Sequence, residues 1–504
     1  MTLAKVLIGG NWKNSSGKES FQADNPATMQ PIAEAFPISP WSEIDEALTA
    51  ADQAAEDLRC VPRSKIADFL EAFAAKLEAN KEAIVAKANE ESALPVSPRL
   101  ADNEFPRTVG QLRQAAASAR EGSWAMPVID AANNIHSMLG PIGPVAVFGP
   151  NNFPLAFNSA SGGDFAAAIA AGNPVIAKAN SSHPATTRMM AEQALEAVKQ
   201  VGLPLATVQL IYRTGHADGE RLVSDPRIGA TGYTGSRNAG LKLKEAADKA
   251  GKPIYLELSS VNPVVILPGA LAERGEALAG EFSGSCLLGT GQFCTNPGMV
   301  LLIAGPNTEA FISAVQQKFA AAPVGTLLSK AVAKSLASAI ETLTKSGAQL
   351  LAGGTSGGGK GYSFANTLLR VSGKQFLANP HALQTEAFGN ASLLVVADDI
   401  AEASQILRSL EGNLTGAIYS HTQTEDDASY ATLEPILRAK VGRLLNDKMP
   451  TGVAVSPAMN HGGPFPATGH SGFTAVGIPA AIRRFGMLMC YDGVRPSRLP
   501  DLLK

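Results

Sequence analysis

PIGPVAVFGP, residues 141–150, reads as a short apolar strand, Val145 to Phe148, shut between Gly-Pro pairs. The same pattern recurs downstream. A small-residue helix is expected over 161–171, then a strand at NPVIAKA (173–179) and a helix over 184–200 opened by Pro184. TVQLIY (207–212), a helix near 216–224, IGATGY (228–233), a helix over 236–250 and PIYLEL (253–258) complete the series. Strand–helix alternation at this pitch predicts a parallel, doubly wound sheet. Ligands of such sheets bind beyond the carboxyl ends of the strands, so the residues after each strand matter most.

Outward from this block the pattern continues. VVILP (264–268), MVLLI (299–303) and SLLVV (392–396) are strand candidates, with helices near 308–319, 328–346 and 400–410. LAGGTSGGGKG (351–361) reads as a flexible loop. Upstream, helices are expected over 42–60, with Ser42 and Asp45 as a capping box, over 64–91 and over about 105–121. The expected fold is α/β: two doubly wound parallel-sheet domains and a small β element. The cofactor-binding domain takes 1–122 and 142–257, and the catalytic domain takes 258–477. Segments 123–141 and 478–504 form an oligomerisation element, because the tail reads as an edge strand seeking a partner surface.

With 504 residues, 45% of them hydrophobic, the chain builds a full core and is not disordered. Its formal charge is −3 and no segment clusters five Lys or Arg, which argues against nucleic-acid or membrane-surface binding. No run of 18 apolar residues and no signal-peptide pattern occur, so a cytoplasmic location is expected. Four cysteines, none in CxxC spacing, make neither a disulfide framework nor a structural zinc site, and no metal is expected.

Four positions carry chemistry. Cys294, in GTGQFCTNPG (289–298), sits among glycines and polar residues where backbone amides can face a ligand, which suits a nucleophile. Cys286, in SGSCLLG, reads instead as an inert buried thiol. Glu257 ends an apolar strand, where a carboxylate is placed for general-base work, though it could equally reach solvent. Asn152, just past the Phe148 strand, is either a turn former or an oxyanion donor. TGSRNAG (234–240), with Gly235 and Gly240, is neither GxGxxG nor a P-loop, yet it opens a helix whose amides can hold phosphate. No one of the seven histidines offers a clear partner to Cys294.

In chain order, FGPNNFP, VIAKAN, YTGSRNAG, LELSS, GQFCTNPG and TEAFGN resemble the aldehyde dehydrogenase superfamily, from NPAT (25–28) to the tail. GGPFPATGHSGFTAVGIPAAIRRF and the LELSS variant resemble one branch of it. That branch holds NADP-dependent α-ketoglutaric semialdehyde dehydrogenases and a bacterial long-chain fatty aldehyde dehydrogenase. The resemblance implies Cys294 as nucleophile, Glu257 as base, and Asn152 with the Cys294 amide as oxyanion donors. It places Lys178 at the adenosine ribose, Gly235 and Ser236 at the pyrophosphate, and Glu386 with Phe388 at the nicotinamide ribose and ring. Ser181 stands where many NAD-using relatives carry glutamate, and with Lys178 and Arg213 it tilts the expected cofactor toward NADP, with NAD possible.

The implied activity is oxidation of a small-molecule aldehyde to an acid through a cysteine thioester, by a homodimer or homotetramer. Phe153, Phe157, Phe293 and the segment 456–466 are expected to line an apolar substrate tunnel. An acylating dehydrogenase using coenzyme A would not need Glu257. A cysteine hydrolase would need a histidine beside Cys294. A non-catalytic protein would not need the set at all.

Overall fold

The computed structural model describes residues 3–504. Strands Ile254–Glu257, Ala230–Thr234, Val145–Phe148, Val175–Lys178 and Val208–Ile211 lie side by side in that order, all parallel. Every residue of Val145–Phe148 and Val208–Ile211 is buried, as strands covered on both faces must be. The chain order reverses at Val145–Phe148, which has Val175–Lys178 on one side and Ala230–Thr234 on the other. The crevice beyond that reversal is where a doubly wound sheet takes its ligand.

A second sheet runs Gln349–Ala352, Thr367–Ser372, Ala391–Ala397, Met299–Ile303, Val264–Ile266, Asn413–Tyr419, Val441–Asn446, parallel except for its first strand. The α/β reading of two parallel-sheet units therefore holds. A separate three-stranded sheet joins Gly486–Asp492 to Ile135–Pro141 and Val128–Asp130. The tail is thus an edge strand, and it leaves Leu488 71% and Val128 61% exposed. No helix among the described residues is long and apolar enough to cross a membrane.

Several expectations need correction. The opening segment is not only helical. Val6–Ile8 extends the first sheet antiparallel to Val208–Ile211, Asn11–Lys13 pairs antiparallel to Val6–Ile8, and Ser20–Asn25 and Gln30–Ser39 form a hairpin. The helix Trp41–Leu58 has Pro40 as its N-cap and no side-chain cap, so the Ser42–Asp45 box does not form. Glu43 turns instead to the N-terminal loop, accepting from the Ser15 hydroxyl and the Ser16 amide.

The helix expected over 64–91 is two, Arg63–Ala79 and Lys81–Ser92. Asn80 breaks it by donating its side-chain amide to the Lys76 carbonyl and to Gln193. In the second sheet, Asn413–Tyr419 escaped notice because Asn413 and Thr415 interrupt its apolar run, although all seven residues are buried. Asn413 is satisfied there by accepting from the amides of Val261 and Asn262.

Candidate active site

The strand Ile254–Glu257 delivers Glu257, 5% exposed, at its carboxyl end. Segment 463–469 returns along this strand: Thr468 bridges Glu257, and the Leu258 amide donates to the Ala467 carbonyl at 2.8 Å. That return brings in His461, 1% exposed, whose amide is tied to the Thr474 hydroxyl at 2.7 Å. His461 Nε2 lies 2.7 Å from Glu257 Oε1 and 3.4 Å from Cys294 Sγ. The expectation that no histidine partners Cys294 is therefore overturned, since packing carries His461 across the chain to it. Its signal was present in SPAMNHGGPFP, read there only as pocket lining.

Cys294 is held in place by its loop. Asn262 donates to the carbonyls of Cys294 and Asn296, at 2.9 and 2.8 Å. Gly291, at φ +67°, lets the loop pass against the loop that carries Glu386, for a Cβ there would meet the Gly389 carbonyl oxygen at 2.0 Å. Burial pushes the Cys294 thiol well above its usual range; the Glu257 charge adds to this and Arg107 opposes it. The resting group is thus a thiol that needs a proton acceptor, and the Glu257 carboxylate, held by His461 Nε2, lies within 4.8 Å of it.

Asn152, 6% exposed, donates Nδ2 to the Gln292 carbonyl at 3.1 Å, which sets its amide beside the nucleophile loop. The Cys294 amide makes no hydrogen bond within the chain among the described residues. Glu257 Oε2 is buried and unpartnered. With His461 it lines a cavity of about 20 Å³, room for one water. Cys286, by contrast, is fully buried, and burial pushes its thiol up to about 12.

Lys178 ends its strand beside Phe148 and Ile211. Its amine makes no hydrogen bond or ion pair among the described residues, and burial, with Arg213 nearby, pulls it down to about 8. Arg213 opens the two-residue strand Arg213–Thr214 against Ile38 and Ser39 and is exposed. Ser181 lies in the turn after Lys178 and bonds to neither cation. Its neighbour Asn180 pins that turn to the Gly149 carbonyl at 3.0 Å.

Gly235 and Ser236 open the helix Arg237–Lys249, and the Tyr233 hydroxyl closes on the Ser236 carbonyl at 3.1 Å. Glu386 and Phe388 share the loop before Ala391–Ala397. Burial raises Glu386 to about 7 against hydrogen bonds from Ser259 and Ser260. Its charge also bears on Cys294. The structure therefore gathers Cys294, Glu257, Asn152 and Glu386 at one end of the crevice, and Lys178 with Arg213 at the other.

The three phenylalanines do meet: Phe153 packs edge-on against Phe157 at 5.2 Å and against Phe293 at 5.6 Å. A purely apolar tunnel is not what they form, because the Arg99 guanidinium lies 4.3 Å from the Phe153 ring and that of Arg107 lies 5.1 Å from Phe157.

The model of the aldehyde dehydrogenase family matches residues 12–463. An α-ketoglutaric semialdehyde dehydrogenase 2 of Azospirillum brasilense is 38% identical over 99% of this chain and 96% of that protein. An α-ketoglutaric semialdehyde dehydrogenase of Acinetobacter baylyi is 36% identical over 99% of this chain and 95% of that one. Among solved structures, PnpE in complex with nicotinamide adenine dinucleotide superposes with a TM-score of 0.82 at 20% identity, over 97% of each chain, which speaks for the fold alone. With the model spanning most of the sequence and these relatives aligned end to end, the chain belongs to the aldehyde dehydrogenase family.

Proposed function

We propose that this aldehyde dehydrogenase oxidises 2,5-dioxopentanoate, the α-ketoglutaric semialdehyde, to the dicarboxylate, with NADP as its preferred acceptor. The observation that carries the chemistry is one atom, His461 Nε2, within reach of both the Cys294 thiol and the Glu257 carboxylate. The substrate is supported by the names of the two relatives aligned over the full chain. The division into a cofactor-binding part, a catalytic part and an oligomerisation element is supported by the two seven-stranded sheets and the separate sheet of the tail.

The crevice suits a nicotinamide dinucleotide phosphate. Lys178 is an unpaired amine whose charge burial disfavours and a phosphate would restore, and Arg213 stands near enough to depress it. Ser181 leaves room for a 2′-phosphate where a glutamate would repel it. Ser236 and the helix it opens offer amides to the pyrophosphate. Glu386 is placed to hold the nicotinamide ribose. The bound dinucleotide supplies the hydride acceptor.

The protein's own steps follow from the distances. The Cys294 proton passes to the Glu257 carboxylate, which reaches within 4.8 Å of Sγ and accepts from His461 Nε2 at 2.7 Å, and it leaves from there to solvent before the thioester is hydrolysed. The thiolate adds to the aldehyde carbon, and the oxyanion is met by Asn152 and the Cys294 amide, a donor of this type being worth about 3 kcal/mol. Loss of hydride leaves a thioester on Cys294. Glu257, whose Oε2 is unpartnered, takes a proton from the water that attacks the thioester, and the acid departs with Cys294 restored. The exposed Leu488 and Val128, on the two edge strands of the tail sheet, support assembly into a dimer or tetramer, which light scattering at micromolar concentration reads directly.

The phenylalanine cluster favours a second reading, long-chain aliphatic aldehydes. A panel of 2,5-dioxopentanoate and aliphatic aldehydes, each with NADP and NAD, separates the two. A kcat/KM highest for the dioxo acid with NADP is expected. A long-chain aldehyde in first place refutes the substrate, and NAD in first place refutes the cofactor.

A further inference from the structure

The substrate proposed above carries a negative charge at the end away from the aldehyde, and the catalytic residues offer nothing to receive it. Three arginines stand around the aromatic cluster, and they differ in one respect. Arg99 is neutralised by an ion pair with Glu104 and donates to the Asn152 carbonyl. Arg107 and Arg443 form no ion pair among the described residues. Arg107 donates Nη1 to the Val453 carbonyl at 2.9 Å and Nε to Gln111 at 3.4 Å, and its Nη2 is buried with no partner. Arg443 holds the same segment through the carbonyls of Pro450 and Gly452 at 2.7 and 3.1 Å. Two half-buried cations thus hold the segment 450–455 with no carboxylate in ion-pair contact among the described residues, although Glu104 and Glu257 act on Arg107 at longer range, an arrangement that a closer anion would stabilise.

The placement of Arg107 ties it to the reacting centre. Its guanidinium lies 5.1 Å from the Phe157 ring, the Phe157 ring lies 6.1 Å from the His461 ring, and His461 touches Cys294. A five-carbon chain held with one end at the thiol spans about 5 Å to its other end. Phe153, Phe157 and Phe293 pack together beside Arg107, and such an apolar surround strengthens a charge contact. The coupling is also electrostatic: Arg107 is among the charges that draw down the Cys294 thiol, and Cys294 in turn acts on both Arg107 and Arg443.

We propose that Arg107, through the unpartnered Nη2, is the group that binds the distal carboxylate of a short oxo acid, with Arg443 as a second cation at segment 450–455. This rests on the oxo-acid reading above and names the residue that enforces it. The aromatic cluster and the cation then have one purpose: the rings accept the methylenes and Arg107 selects for the charge that follows them.

The test compares 2,5-dioxopentanoate and succinic semialdehyde with pentanal and butanal in the wild type, Arg107→Lys and Arg107→Gln. The ratio of kcat/KM for oxo acid over neutral aldehyde should fall about 10- to 100-fold in Arg107→Gln, mostly through KM, with partial rescue in Arg107→Lys. A ratio unchanged while both substrates weaken together would mean that Arg107 only clamps the 450–455 segment, and would overturn the proposal. Wild type that prefers succinic semialdehyde over butanal but ignores 2,5-dioxopentanoate would refute the substrate named above and leave this subsite standing. A second measurement needs no variant. Levulinate (4-oxopentanoate), a ketone that carries the same distal carboxylate, should protect Cys294 of the wild type from iodoacetamide at concentrations where pentan-2-one does not. Equal protection by both would overturn the proposal.

Discussion

The two ends of the crevice are built on opposite principles. At the nucleophile end the titratable groups complete one another: His461 sits between Cys294 and Glu257, and the set is sealed to 1% and 5% exposure at the histidine and the glutamate. At the end proposed for the cofactor nothing is complete: Lys178 has no partner among the described residues, Arg213 is exposed, and the two repel. The first arrangement is ready before any ligand arrives, as catalysis by fixed dipoles and bases requires. The second is a frustrated pair of cations that a phosphate would relieve. The lesson is that an unpaired charge marks where a ligand is missing, whereas a closed hydrogen-bonded set marks where chemistry is done.

The comparison predicts its largest effect at Cys294. Cys294→Ala should lower dehydrogenase activity by about 10³-fold or more, and Cys286→Ala should retain most of it. Similar losses from both, with both variants folded by circular dichroism, would remove the nucleophile assignment. Next come the partners. Glu257→Gln should slow acid release about 10²- to 10⁴-fold while leaving hydride transfer faster than turnover, so rapid mixing should show a burst of reduced cofactor. His461→Gln should instead slow the burst itself, because it removes the donor that holds the Glu257 carboxylate beside the thiol. If His461→Gln kept a wild-type burst, the histidine would be a structural contact only.

The cofactor end should yield smaller effects, of a kind the nucleophile end cannot imitate. Arg213→Ala should raise KM for NADP about 10-fold and leave NAD nearly unchanged, and Ser181→Glu should push the preference toward NAD. Equal weakening of both cofactors by Arg213→Ala would refute the 2′-phosphate site. The smallest effect is with pH. The Lys178 amine is depressed to about 8, so its positive charge is present below that value and lost above it. Affinity for NADP should therefore weaken as pH rises through 8 toward 9, while affinity for NAD changes less. Since the bound phosphate favours the charged amine, NADP binding above pH 8 should take up protons, which calorimetry in two buffers measures. A flat pH profile would show that Lys178 does not face the 2′-phosphate.

What the sequence made legible was whatever short stretches decide. The parallel alternation from Val145 to Glu257 is written in apolar runs of four to six residues, each bounded by Gly or Pro. Cys294, Glu257 and Asn152 each stand at a turn or strand end that local pattern marks. Strands such as Asn413–Tyr419 stayed hidden because their polar residues are satisfied by distant backbone, from Val261 and Asn262.

His461 stayed hidden for a stronger reason. It is 167 residues from Cys294 and 204 from Glu257, in a segment without regular structure. Only the return of segment 463–469 along the Glu257 strand sets its ring between them. The same holds for Arg107, whose role rests on Val453, 346 residues away, and on a buried Nη2 with no partner among the described residues. The sequence by itself determined which residues could do chemistry and which sheet would carry them. Tertiary packing decided which of them share an atom, because a proton moves over about 3 Å and no spacing along the chain encodes a contact of that length.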